Sequence, residues 1–352
     1  MAYWTIAIGG GPKNANQAAV AIGNKIYAFG ELINDDDECS PYDRLFGVHI
    51  LDTETYRWES SLGESDRMMY TTLELNEEFF ADENDDAVPL YIELGVTPLF
   101  RTGHTVVAYE GKLYMWGGRI ESLHFSVTMY CFDPETQHWS IISRAGDAVP
   151  GRMKHSAIVH NDMMIVYGGE DDLFNFPKTV CAYHFKTRKW YNLVTEISEL
   201  PSGRESHTAC IIDEKMYVYG GTNMFLKDMD LDVLNLKTGR WEKPKVSGDI
   251  PCRRRDHSAW VYRGMMYIFG GFEGTERRYL NTLHEFNPET CRWRLMHPCG
   301  LPPPVPRGRH CSVLIDERVF VFSGMTLVRR FHRSKNIEIH KVACDLHVLD
   351  YG

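Results

Sequence analysis

The chain has 352 residues, 43% apolar and 12% aromatic, and a formal net charge of −10 at pH 7. That apolar content suffices for a large core and excludes disorder of the whole chain, while the acidic balance argues against a primary nucleic-acid binder. No apolar run reaches membrane-spanning length, and Met1–Gly10 lacks a basic start and a long apolar stretch, so a cytoplasmic or nuclear protein without membrane contact is expected. After a short apolar segment at 3–8 containing Trp4, the chain enters a repeat. Ala18–Phe29 reads as two alternating strands joined by a turn; Gly30, a third strand at Val48–Asp52 and Trp58 follow. Five further units open with Arg-x-x-His: Arg101/His104, Arg152/His155, Arg204/His207, Arg254/His257 and Arg307/His310. Their arginines step by 51, 52, 50 and 53 residues. Two strands follow each and end at Gly117-Gly118, Gly168-Gly169, Gly220-Gly221, Gly270-Gly271 and the degenerate Ser323-Gly324. A variable loop, a third strand and a tryptophan complete the unit, at Trp139, Trp190, Trp241 and Trp293. In the first unit Lys13 and Asn16 stand in for the arginine and histidine, and Glu31 for the second glycine.

A period near 50 with a glycine pair and one tryptophan is the signature of kelch blades. Four short antiparallel strands cannot bury both faces alone, and stacking around an axis buries them and protects the edges. The expected fold is therefore all-β, a six-bladed kelch β-propeller forming a single domain over 1–352. The last unit stops at Gly352, before its tryptophan. Trp4 is the spare copy, so residues 3–8 are expected to complete blade six beside Asp345–Asp350.

An acidic insertion at about 59–100 separates the first two blades: Trp58 to Arg101 spans 43 residues, against 13 or 14 elsewhere. It carries Glu74, Glu77, Glu78, Asp82, Glu83, Asp85 and Asp86, and a second acidic run, Asp35–Glu38, lies in the blade-one loop. These runs read as solvated loop or as a negative rim for basic partners. The nine cysteines show no CxxC spacing, which indicates neither a disulfide framework nor a zinc module. No cofactor, metal or catalytic residue is expected.

In a four-stranded meander the residues after each glycine pair and those inside Arg-x-x-His emerge on one face. That mouth reads as basic, with Arg119, Lys154, Arg254, Arg255, Arg277, Arg278, Arg309, Arg329, Arg330 and Arg333. Guanidinium groups grip a carboxylate in a two-pronged fashion, so the cluster suits capture of a chain terminus. The repeat arginines, histidines, glycines and tryptophans read as architectural. The candidate peptide-binding residues are Arg119, Lys154, Arg254, Arg255, Ser258, Arg278 and Arg309, with Trp260 either a pocket wall or core.

Three stretches, Trp4–Gly30, Arg101–Arg119 and Asp345–Gly352, closely resemble kelch proteins that are substrate receptors of cullin-2 ubiquitin ligases. The resemblance runs the length of the chain and weakens in the loops. It implies a substrate-recognition module that binds C-terminal degron peptides, especially tails ending in glycine, with elongin B/C and cullin-2 as partners. Two departures stand out. Thr222 occupies the place where these receptors carry an arginine for the peptide carboxylate, with Lys227 the nearest cation. The Leu-x-x-x-Cys spacing of an elongin box occurs only at Leu295–Cys299, where Pro298 breaks a helix, so such a box is expected beyond Gly352 or not at all. Two alternatives remain: a non-ligase interaction propeller, such as a chromatin or histone-tail reader, and a sugar epimerase using Glu205, Asp256 and His155. The expectation is that the chain is not an enzyme.

Overall fold

The computed structural model describes residues 2–13, 17–32, 45–61, 97–120, 124–143, 149–193, 200–223, 230–332 and 335–352. No helix occurs among them, and none is long and apolar enough to cross a membrane. Six small sheets stand in a ring as a six-bladed β-propeller, as the repeat predicts. Blade one is Ala18–Ile22, Lys25–Leu32, Leu45–Asp52 and Arg57–Ser61. Blade two opens with Thr105–Tyr109, blade three with Ser156–His160, blade four with Thr208–Ile212, blade five with Ser258–Tyr262 and blade six with Cys311–Ile315. These first strands touch one another in succession, and the last touches the first, so they line the channel.

The core is not central. Among the described residues it divides into six apolar clusters, each shared by two neighbouring blades. Every outer tryptophan packs on the aromatic that precedes the glycine position in the preceding blade. Centroid separations are 5.6 Å for Trp139–Phe29, 5.0 Å for Trp190–Trp116, 5.0 Å for Trp241–Tyr167, 5.1 Å for Trp293–Tyr219, 5.6 Å for Trp4–Phe269 and 5.1 Å for Trp58–Phe322. Buried Cys131, Cys181, Cys210 and Cys311 fill small core positions as free thiols.

Closure follows the expected route. Tyr3–Gly9 pairs antiparallel with Asp345–Asp350, with Trp4 opposite Leu349 and Ile6 opposite Val348. The outer edges of blades five and six are covered in turn by short parallel strands, Ser247–Gly248 beside Arg292–Trp293 and Cys299–Gly300 beside Tyr3–Trp4. Leu295 and Cys299 thus lie in strands, outside any helical box. Most of the acidic insertion, residues 62–96, and the run Asp35–Glu38 fall outside the described residues.

Trp4 is 2% exposed and shares the blade-five/six seam. Trp4→Ala is therefore expected to cost about 3–5 kcal/mol, read by chemical denaturation. Deleting residues 1–10 bares the blade-six edge and should promote aggregation in sedimentation runs. A truncated chain that stays monomeric and equally stable would refute this closure.

Candidate functional site

Each Arg-x-x-His turn precedes an innermost strand, so the turns crowd one end of the channel. The repeat arginines are buried and bond within their own blade. Nη1 donates to the carbonyl sixteen residues on: Gly117 at 3.5 Å, Gly168 at 3.2 Å, Gly220 at 3.2 Å, Gly270 at 3.0 Å and Ser323 at 3.1 Å. The histidines bond across the seam, and Nε2 meets a hydroxyl of the preceding blade: His155 with Thr105 at 2.8 Å, His207 with Ser156 at 2.9 Å, His257 with Thr208 at 2.7 Å and His310 with Ser258 at 2.8 Å. Blade one breaks the series. Its register, Ala18 opposite Phe29 against Thr105 opposite Trp116, puts Gln17 rather than Asn16 in the histidine place and Ala18 in the hydroxyl place.

The first glycine of each pair is required by this seam. A Cβ on Gly168 would lie 2.5 Å from the Arg204 carbonyl and 2.6 Å from the His207 ring. Blade six faces blade one, which lacks the arginine and histidine, so Ser323 is tolerated there and its hydroxyl donates to the Pro12 carbonyl at 2.7 Å.

The third residues of the five Arg-x-x-His turns are linked in a chain. The amide of Lys154 donates to the Gly103 carbonyl (2.7 Å), Ser206 to Lys154 (3.0 Å), Asp256 to Ser206 (2.9 Å) and Arg309 to Asp256 (2.8 Å). Lys154, Ser206, Asp256 and Arg309 hold φ of +53° to +57°, a conformation costing about 1–3 kcal/mol each that persists only where surroundings enforce it. The second residue of each turn bridges to the residue after the glycine pair: Thr102 to Arg119, Met153 to Glu170, Glu205 to Thr222, Arg255 to Phe272 and Gly308 to Met325. Both sets therefore share the mouth, as strand order implies.

The expected site residues divide. Arg254 is buried and committed to Gly270, to the Cys252 carbonyl at 3.0 Å and to Thr282 Oγ1 at 3.1 Å. Ser258 is buried between His310 and Ser312 Oγ, 2.6 Å away. Both belong to the frame, which corrects their assignment to the peptide surface: the motif arginine is architectural for the same reason in all five blades that carry it. Trp260 is core, stacked on Tyr267 with Nε1 donating to Tyr351 Oη at 3.2 Å. Lys154 reaches Glu205 at 3.0 Å. Arg119 is exposed at the blade-two rim, and exposed Arg278 pairs with Glu273 at 2.8 Å. The side chains of Arg329 and Arg330, and all of Arg333 and Lys227, lie outside the described residues. Of the epimerase candidates, His155 is held in the seam, Glu205 by Lys154 and Asp256 by Arg309.

Arg255 and Arg309 come together. Side chains 31% and 35% exposed, they face the same Asp256, itself 10% exposed, at 4.0 and 3.4 Å. The Arg255 guanidinium lies 4.8 Å over the Phe272 ring, and Arg309 Nη1 is 3.6 Å from Met325 Sδ. Phe272 and Tyr279 meet edge to face at 5.2 Å, and Tyr279 Oη bonds His340 Nδ1 at 3.2 Å. Phe272 and Met325 directly follow the second glycine, a position that points to the mouth in the sequence; counting only cations there misses them.

Burial, and then the adjacent repeat arginine, pushes the seam histidines down, His104, His207 and His310 to about 3 and His155 and His257 well below their ordinary value. Burial and then the neighbouring Glu205 raise Glu170 at the rim. Burial alone would raise Asp345, but hydrogen bonds from His347 and Arg307 outweigh it and hold that carboxyl well below the usual range.

The KLHDC2/KLHL20/DRC7 Kelch-repeats domain matches residues 103–324. The chain belongs to this kelch-repeat family. Kelch-repeat propellers are protein-interaction domains. The whole chain aligns with 88% of kelch domain-containing protein 3 of Rattus norvegicus at 29% identity and of Homo sapiens at 28%. It is also similar to the leucine-zipper-like transcriptional regulator 1 homolog of Drosophila melanogaster, 28% identical over 64% of this chain and 24% of that protein.

The kelch seam makes stability pH-dependent. An unfolded histidine titrates near pH 6.5, whereas the buried rings stay neutral to about pH 3. Between these values the unfolded chain binds more protons. Stability is thus full above pH 6.5 and falls on acidification, by about 1.4 kcal/mol per pH unit for each ring once well below 6.5. Asp345 adds a loss only under the ordinary carboxylate range. The Tm is expected to drop between pH 7 and pH 5; a constant Tm contradicts neutral seam histidines.

Proposed function

We propose that this propeller is a substrate-recognition module that captures C-terminal peptide tails at its mouth for a cullin-2 RING ubiquitin ligase. One observation carries the binding half: two half-exposed guanidinium groups, Arg255 and Arg309, converge on a single carboxylate, Asp256. Two guanidinium groups side by side at the mouth form the arrangement that grips a carboxylate such as a peptide terminus. Each guanidinium has five N–H groups in a fixed fork, so a second carboxylate can be accepted beside Asp256. Partial desolvation strengthens such charge-assisted bonds. Thr222, bridged to Glu205, stands where the resembling receptors carry their carboxylate-binding arginine; the Arg255–Arg309 pair supplies that chemistry one to two blades further round the ring. The ligase half rests on the likeness to those receptors over the whole chain.

The test is a panel of peptides with free and amidated C-termini, measured by fluorescence anisotropy. Free tails bind and amidation removes most of the affinity. Arg309→Gln weakens the free tails by about 10- to 100-fold, the worth of a hydrogen bond to a charged group, and leaves the amidated ones unchanged. Equal binding of both forms would refute capture of a terminus. Co-precipitation of elongin B/C and cullin-2 with the natural full-length protein tests the ligase half separately.

A further inference from the structure

The apolar surface beside the two guanidinium groups has a consequence for the ligand. In a peptide the last side chain branches one bond from the terminal carboxylate. Whatever lies against the cations therefore lies against that side chain as well. Arg255 is stacked over Phe272 at 4.8 Å, and Arg309 touches Met325 Sδ at 3.6 Å. Phe272 and Tyr279 form an edge-to-face pair, with Tyr279 anchored by His340. Gly308 leaves space for the Tyr279 ring, since a Cβ there would stand 3.2 Å from Cε1. Phe272, Tyr279 and Met325 are all half-buried and so still face solvent. The equivalent positions after the glycine pair in blades two to four are Arg119, Glu170 and Thr222, none of them a large apolar residue.

We propose that the tail bound here ends in a large apolar residue, Leu, Met or Phe, whose side chain covers Phe272, Tyr279 and Met325 while its carboxylate meets Arg255 and Arg309. This rests on the terminus-capture reading and departs from the terminal glycine that the family resemblance implies. A glycine leaves the wall wet. A terminal Lys or Arg places its charge beside two guanidinium groups, with Asp256 already engaged by both. A terminal Asp or Glu strips hydration from a second carboxylate on an apolar wall. Covering this surface with four or more carbon atoms favours the apolar tail by about tenfold or more.

Four ten-residue peptides that differ only in the last residue (Gly, Leu, Phe or Lys), each free and amidated, are titrated against the full chain. The expected result is that free Leu and Phe tails bind about tenfold or more tighter than Gly, and that Lys is weakest. Phe272→Ala and Met325→Thr reduce the Leu-to-Gly affinity ratio towards one; a ratio taken within one variant cancels losses common to both peptides. Loss on amidation with Gly equal to or better than Leu overturns the apolar wall and leaves terminus capture standing. Binding indifferent to amidation, or no binding, overturns terminus capture and the inference with it. The unmodified chain decides these outcomes even where a variant fails to fold.

Discussion

Everything in this molecule depends on the seam between blades. A single four-stranded sheet has two apolar faces and no partner of its own, so its stability comes from what the next blade presents. At most seams the contact is the same. An aromatic ending the second strand is packed by the tryptophan and the histidine of the following blade, as Tyr167 is by Trp241 and His207. The glycine after that aromatic lets the following Arg-x-x-His turn approach to distances that a Cβ would forbid. A neutral imidazole then bonds a hydroxyl across the gap, a role a charged ring could not fill at that depth.

The seam also builds the mouth. Because the backbone of each turn bonds to its own blade and to its neighbour, its third residue is held at positive φ in a run of amide-to-carbonyl bonds from blade two to blade six. The frame thus consumes the repeat arginine and histidine and leaves the two residues between them free to vary. Their side chains give each sector its character: Lys154 with Glu205 and Glu170 on one side, Arg255 with Asp256 and Arg309 on another. Among the described residues the mouth mixes charges and is not uniformly basic. At Arg255 and Arg309 the positive charge is paired with an aromatic and thioether surface.

Fold was legible in the sequence because kelch motif positions do local work. Gly168 and Gly220 are where the next turn must pass, Trp241 is where the preceding aromatic must be covered, and Trp4 fills the tryptophan place of blade six. Even the irregularities follow: Ser323 is allowed where blade one offers no arginine or histidine. The misplacement of Asn16 for Gln17 shows the limit, since a one-residue offset in a degenerate copy is visible only through strand register.

The sequence by itself determined the number of blades, the closure by residues 3–8 and the face on which the variable residues gather. It could not say which arginines are spent. Arg254 and Arg255 are adjacent, yet one is sealed into its blade and the other stands at the mouth. Only the tertiary structure decided that, because the available charge of a side chain depends on partners about fifty residues away: Asp256 beside Arg309, Glu205 beside Lys154. Those pairings are set by how one blade leans on the next.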